Sequence, residues 1–461
     1  MNFRARLTIA LLFSLYVLVV NVPSQTLLAP VSAQAPLTPD QIRAAYNVNT
    51  LLQSGYTGRG VTVAVLTPTI GKTFYSDLKA FNNKYGLPDT DISVAQSYHP
   101  SEESPNMEVT TDTELVHAMA PDAKILIAHD DSYVIDHDAA DIMTTSYGTG
   151  NYWDTGDGSA AKTVRSFNDE YAKSVGEKIT LIATSGDGGS DMTIFSGTGD
   201  FWRKHLPNSY LTPDSPYITF VGGTSLTLQD GRYSETGWDH SGGGPYSLFP
   251  EPEWQTGPRV PQNHHRNIPD IALNAACATP YANYFNGSPN NFCGTSASAP
   301  TFAGIMADIE QAAGERLGFL NPTLYSLASS DPTVYHEITS GCSLLQPNWN
   351  DPAATEPGYC AHAGWNFVTG LGSIDATRLA AHLAPKAHIM PTTITTTSRE
   401  HSTESTSIVS ESRTENTPNT NQSSVKWFEY SPYILAALAA AALVIVGFTY
   451  ARKHATKTKS S

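Results

Sequence analysis

The sequence predicts an α/β fold, a parallel sheet flanked by helices in one central domain. Three observations point there. Apolar runs of strand length alternate with helix-length stretches through residues 37–385. The chain is 40% hydrophobic, enough for a sizeable core. No internal repeat interrupts the alternation. Of 461 residues only 15% are charged, and 43 Asp+Glu against 27 Lys+Arg give a net charge of −16. That balance excludes nucleic acid as a partner, because no basic face could neutralise a phosphate backbone.

The elements follow in chain order. Arg4 and Arg6 precede an apolar run over 7–22, and Val31-Ser32-Ala33-Gln34-Ala35 supplies small residues after it. Residues 1–35 therefore read as a secretory signal peptide, the run being short for a membrane span. The peptide from 36 to 390 is the folded domain. Val61-Thr62-Val63-Ala64-Val65-Leu66 is a buried strand after the turn Gly58-Arg59-Gly60, and 124–128, 179–183 and 217–221 are similar runs. Residues 76–85, 108–119 and 301–316 carry helical patterns. In sheets of this kind, sites gather at the carboxyl ends of strands.

Residues 391–426 form an expected stalk. Ser and Thr make up 18 of the 34 residues from 391 to 424, a composition that cannot bury apolar surface. A transmembrane helix is expected within 427–451. Tyr433 to Tyr450 is 18 residues without a charge, preceded by the interfacial aromatics Trp427, Phe428 and Tyr430. The basic tail 452–461, with Arg452, Lys453, Lys457 and Lys459, stays cytoplasmic and leaves the domain outside the cell. Four cysteines allow three pairings; the local one, Cys277 with Cys293 and Cys342 with Cys360, closes two short loops. Their spacings match no zinc pattern. Asn286-Gly287-Ser288 and Asn421-Gln422-Ser423 are glycosylation sequons.

The strongest chemical signal is Gly294-Thr295-Ser296-Ala297-Ser298-Ala299-Pro300 ahead of a helical run. A small-residue turn at a helix N-terminus can present a Ser hydroxyl beside N–H groups able to hold an oxyanion. Such a segment is also a common helix cap. Gly223-Thr224-Ser225 is an internal control: it continues as Leu226-Thr227-Leu228, alternating like a strand, so Ser225 is structural and Ser296 the nucleophile. A serine needs a base. None of the 14 histidines sits in an His-Gly-Thr segment, and Thr67-Pro68 stands where a strand-end Asp would be. His264-His265 lies in a polar loop, and His117 packs on a helix face. Carboxylates remain. Glu108 and Asp112 lie one turn apart on one helix face. Asp187, in Gly186-Asp187-Gly188-Gly189, follows a strand, although alone such a segment is an ordinary turn.

In combination these segments resemble the sedolisin (serine-carboxyl peptidase) family over residues 40–385. Glu108-x-x-x-Asp112 with Ala120-Pro121-x-Ala123 matches its Glu/Asp helix. Ser146-Tyr147-Gly148 stands for its Ser-Trp-Gly, and Gly186-Asp187-x-Gly189 for its oxyanion Asp. Ser241-Gly242-Gly243-Gly244, Pro269-Asp270 and Gly294-Thr295-Ser296 follow in family order. The resemblance implies a subtilisin-like fold acting on polypeptide substrates, as an endopeptidase or a tripeptidyl-peptidase. Ser296 would attack, Glu108 act as base and then acid, Asp112 share its proton, and protonated Asp187 donate to the oxyanion. From free carboxyl pKa values, activity would peak near about pH 3 to 4, where a His base would be idle. A catalytically weak surface binding protein on the same fold is the alternative.

The resemblance also implies one calcium ion (Ca2+). Its ligand positions read Glu337, Ile338, His362, Gly364 and Asn366, with Asp replaced by Glu at 337 and by Asn at 366. Gly370-Leu371-Gly372 completes the family's closing turn. Leu37-Thr38-Pro39-Asp40-Gln41-Ile42 resembles a catalytic-domain start lying directly after the signal, with no evident propeptide.

Overall fold

The computed structural model describes residues 35–95, 106–147, 159–192, 215–345 and 357–390. The expected stalk, membrane helix and tail, the signal apart from Ala35, the sequon at Asn421, and Gly148 all lie outside these residues. Among the described residues no helix is long and apolar enough to cross a membrane.

The centre is an eight-stranded sheet. We number its strands β1 (Thr62–Leu66), β2 (Asp91–Val94), β3 (Lys124–Ala128), β4 (Ile142–Thr145), β5 (Thr180–Thr184), β6 (Thr219–Gln229), β7 (Arg232–Gly237) and β8 (Ile271–Asn274). The spatial order is β8-β6-β5-β4-β1-β3-β2, with neighbours parallel, and β7 returning antiparallel beside β6. Strands β1, β4 and β5 are buried almost throughout, as a sheet covered on both faces requires. This is an α/β, subtilisin-like fold.

The principal helices are α1 (Phe74–Tyr85), α2 (Met107–Met119), α3 (Ser159–Glu177) and α4 (Thr295–Ala313). Helix α2 is buried on every side from Val109 to Met119, and α4 from Ala297 to Glu310. Both helices are enclosed within the domain even though they carry buried polar groups such as Asp112, Glu114 and Asp308. Gly304 lets the two meet: a Cβ there would lie 2.7 Å from both the Met119 Cβ and the Val116 carbonyl. Thr38 caps the helix Pro39–Ala45 in a capping box with Gln41, and Arg43 of that helix donates to the Ala118 carbonyl at 2.6 Å.

Two sequence expectations shift. The strand expected at 217–221 runs over Thr219–Gln229 and turns at Asp230 and Gly231, both at positive φ, into β7. The helix expected from 301 begins at Thr295 and stops at Ala313, where Gly314 adopts φ 71°. Pro300 is the cause of the misplaced helix start, since proline ordinarily marks a boundary. Here it lies inside the helix, and the only bond it forfeits is the one to the Ser296 carbonyl four residues back. The cysteines pair locally, Cys277 with Cys293 and Cys342 with Cys360.

Candidate active site

Four elements deliver the candidate residues. Helix α4 brings Ser296 in its first turn, where N–H groups have no intrahelical acceptor. Helix α2 brings Glu108 and Asp112. The carboxyl end of β4 brings Ser146 and Tyr147, and that of β5 leads into Asp187.

The structure brings Ser296, Glu108, Asp112 and Asp187 into one cluster. Ser296 adjoins Glu108, whose charge is also felt by Asp112, and the charge of Asp187 reaches Glu108. Ser146 joins the parts. Its hydroxyl lies 3.1 Å from Asp112 Oδ1 and 3.2 Å from the Ser296 carbonyl. That carbonyl is the one Pro300 leaves without its helical donor. The proline that disguised the helix start therefore frees the acceptor that ties the nucleophile's backbone to the carboxylate pair.

The carboxyls are desolvated with few partners. Asp112 is fully buried; its Oδ2 and Glu108 Oε1 have no hydrogen-bond partner among the described residues. Burial pushes Glu108 up to about 7, with the Asp187 charge adding and the Ser296 and Ser146 hydroxyls opposing. Burial, then the Glu108 charge, raises Asp112 well above the usual carboxylate range. Asp187 is also raised by burial, against hydrogen bonds from Thr295 and the charge of His240. The three shifts run in one direction: Glu108, Asp112 and Asp187 each hold a proton to a higher pH than a free carboxyl does.

Thr295 engages one oxygen of Asp187. Asp187 Oδ1 accepts from the Thr295 N–H at 2.8 Å and the Thr295 hydroxyl at 2.7 Å. Oδ2 takes neither of these bonds. It faces Gly294, where a Cβ would come within 2.7 Å of it, and φ 116° there suits only glycine. Thr184 at the end of β5 braces the Thr295 hydroxyl, which also accepts from the Gly186 N–H at 3.1 Å.

Sequence reasoning missed Asn106, the N-cap of α2. Its Oδ1 accepts the Glu108 N–H and the Tyr147 hydroxyl, both at 3.1 Å. Its amide donates to the Thr69 carbonyl at 2.8 Å and the Thr69 hydroxyl at 3.0 Å. An Asn two residues before Glu108 is a cap signal that could have been read. The remaining motifs are structural. Ser225 lies on β6, opposite Thr236. Asp270 is paired with Arg266 at 2.6 Å, both fully buried. His117 is buried with Nε2 2.9 Å from the Pro88 carbonyl, and burial lowers its pKa to about 4. His264 is exposed.

The five expected calcium residues also come together. Glu337 Oε1 accepts the Gly364 N–H at 2.9 Å, and Asn366 Nδ2 donates to the His362 carbonyl at 3.2 Å. Ile338 is buried beside Ala361 and Val368. A calcium site presents oxygens inward, whereas this one presents an NH2 group, so the donor set does not fit the ion.

No family model matches the sequence. The chain is 33% identical over 308 residues to kumamolisin of Bacillus sp. (strain MN-32), covering 61% of this chain and 52% of that protein. It is 30% identical over 263 residues to sedolisin of Pseudomonas sp. (strain 101), covering 54% and 42%. Against tripeptidyl-peptidase 1 of Homo sapiens it is 32% identical over 251 residues, covering 50% and 41%. The chain thus spans about half the length, or less, of these curated relatives. Among solved structures, Pseudomonas sedolisin (serine-carboxyl proteinase) complexed with two molecules of pseudo-iodotyrostatin superposes with a TM-score of 0.62 at 23% identity. That match covers 77% of this chain and 100% of the other, and shows the shared fold.

Proposed function

We propose that this chain is a serine-carboxyl endopeptidase of the sedolisin type, cutting polypeptides by a Ser-Glu-Asp mechanism. The observation that carries this is the desolvated cluster of Ser296, Glu108, Asp112 and Asp187 at the N-terminus of α4. The kumamolisin, sedolisin and tripeptidyl-peptidase 1 relatives are consistent with it.

In this mechanism Ser296 Oγ attacks the peptide carbonyl while its proton passes to Glu108. Asp112, whose ionisation the Glu108 charge opposes, shares one proton's titration with it and keeps the pair at one negative charge. The oxyanion is met by the Oδ2 proton of Asp187 and by the N–H of Ser296 in the first turn of α4. Glu108 then returns its proton to the leaving amine. The base must be ionised and Asp187 protonated, so activity has an acid limb set by the Glu108–Asp112 pair and an alkaline limb set by Asp187. Burial raises all three, so both limbs move upward from where free carboxyls would put them.

We further place the domain outside the cell, anchored through residues 427–451. Two disulfides support an oxidising compartment.

The test is proteolysis of a denatured protein by the purified chain across pH. Ser296→Ala and Glu108→Gln should each lose more than about 10³-fold in turnover, and the double variant little more, since triad members act as a unit. Ser225→Ala should keep its activity. Full turnover in Glu108→Gln would falsify the base assignment, and an alkaline maximum, where Asp187 could not keep a proton, would overturn the carboxyl mechanism.

A further inference from the structure

The loop over 362–372 is built around Asn366, which is 2% exposed. Its Oδ1 accepts three donors: the Val368 N–H at 3.0 Å, the Thr369 N–H at 2.9 Å and the Thr369 hydroxyl at 3.1 Å. Its Nδ2 donates to the His362 carbonyl at 3.2 Å and reaches the Gly364 carbonyl at 3.5 Å. The backbones of Asn366 and Gly370 exchange two further bonds, at 3.1 and 2.8 Å.

This network fixes the direction of the amide. Turning it over would set the NH2 group against two backbone N–H donors and Oδ1 against two carbonyl oxygens. In the direction observed, the positive end of the amide dipole points into the space between the His362 and Gly364 carbonyls. A calcium ion would need that space and those oxygens, with a carboxylate oxygen where the NH2 stands. The remaining carboxylate, Glu337, is exposed and holds the Gly364 N–H.

We infer that the Asn366 side-chain amide takes the place of a cation in this loop, joining its carbonyls by N–H donation, and that the domain holds its fold without bound calcium. The loop bears on the active site. The Val368 carbonyl accepts the Ser241 hydroxyl at 2.7 Å, and the next residue, Gly242, donates its N–H to the Gly186 carbonyl at 2.8 Å, one residue before Asp187. A hydrogen-bonded plug therefore supports the Asp187 segment at any metal concentration and across acid pH, where carboxylate ligands of a cation would protonate.

The experiment is thermal melting of the full chain at pH 6 in chelator and in millimolar calcium chloride, with a calorimetric calcium titration beside it. The wild type should shift by less than about 1 °C between the two conditions and show no saturable binding. Asn366→Asp turns the contacts with His362 and Gly364 into oxygen–oxygen approaches. That variant should melt several degrees lower in chelator and recover about 3 to 5 °C with calcium. A wild type that melts lower in chelator and recovers with calcium overturns the inference. So does a folded Asn366→Asp that ignores calcium, since the amide would then not be what separates this loop from a cation site. Should Asn366→Asp fail to fold, the wild-type titration decides: saturable calcium heat overturns the inference and its absence upholds it.

Discussion

Asp112 and Asn366 are both polar, both buried, and both stand at motif positions where the resembling family has an Asp. They are used in opposite ways. Every polar side-chain atom of Asn366 has a partner, so nothing there is left to titrate or to move. Asp112 has one hydrogen bond, from Ser146, and an Oδ2 with none; Glu108 one turn away likewise leaves Oε1 unpaired. An unmet buried oxygen is costly when charged, and a proton is the cheapest remedy. The difference teaches that a satisfied buried group makes structure, whereas unsatisfied ones grouped together make a proton store.

The comparison breaks most visibly at Asp187, which has both characters: Oδ1 is paired twice with Thr295, and Oδ2 is the oxygen to which the proposed mechanism assigns the donated proton. Asp187→Ala removes both and should lower turnover by about 10²- to 10³-fold, the usual cost of an oxyanion donor. Asp187→Asn keeps an acceptor for Thr295 and a donor in place of the acid proton. It should retain more activity than Asp187→Ala, and its rate should fall off less steeply toward alkaline pH because an amide does not ionise. A rate–pH profile of both variants checks this; if they are equally inactive while folded, Asp187 is not the donor.

Asp112→Asn sharpens the contrast through stability. An ordinary Asp ionises near about pH 3.9 in the unfolded chain. Folded Asp112 holds its proton well above that. Between the two values the folded state binds more protons, so this group's stabilisation is present at low pH and is lost as pH rises toward the folded value. The same sign applies to Glu108, held up to about 7, and to Glu310, pushed up to about 8 by burial. His117 acts the other way: its neutral buried form, with a pKa of about 4, loses stability as pH falls from about 6.5 toward that value. The raised carboxyls outnumber it, so urea midpoints should decline from about pH 5 to pH 8. Asp112→Asn should lose on the order of 10² in turnover yet flatten that decline. A decline as steep as the wild type's would show that Asp112 does not carry a raised pKa.

The fold was largely legible because its central strands are apolar runs and its helices are bounded by Gly and small residues. The carboxylate pair was legible from the i, i+4 spacing of Glu108 and Asp112, and Asp187 from its place after β5. Three things were not. Pro300 reads as a boundary unless one knows that Ser146 takes the carbonyl it frees. The grip of Thr295 on Asp187 joins residues 108 positions apart. At 366, Asn for Asp reads as a weakened ligand, and only the surrounding donors show that its amide direction is set.

The smallest effect expected tests whether the boundary between the two behaviours runs through Asn106. That amide is as fully paired as Asn366, yet it caps the helix that carries Glu108, so it is a positioning residue for the base. Tyr147→Phe deletes one of its bonds, the hydroxyl donation at 3.1 Å, and leaves the cap to the Glu108 N–H intact. One hydrogen bond contributes about 0.5 to 1.5 kcal/mol net, so turnover should drop only a few-fold with the pH profile unmoved. Asn106→Ala removes the cap as well, worth about 1 kcal/mol, and frees the first turn of α2. Asn106→Asp restores the cap but loses the donation to Thr69 and sets a third carboxylate two residues from Glu108. Its charge should raise the Glu108–Asp112 pair further and move the acid limb of the rate profile upward. A merely structural Asn106 would change melting temperature in both variants without moving that limb. An acid limb that stays put in Asn106→Asp would therefore return Asn106 to the same class as Asn366.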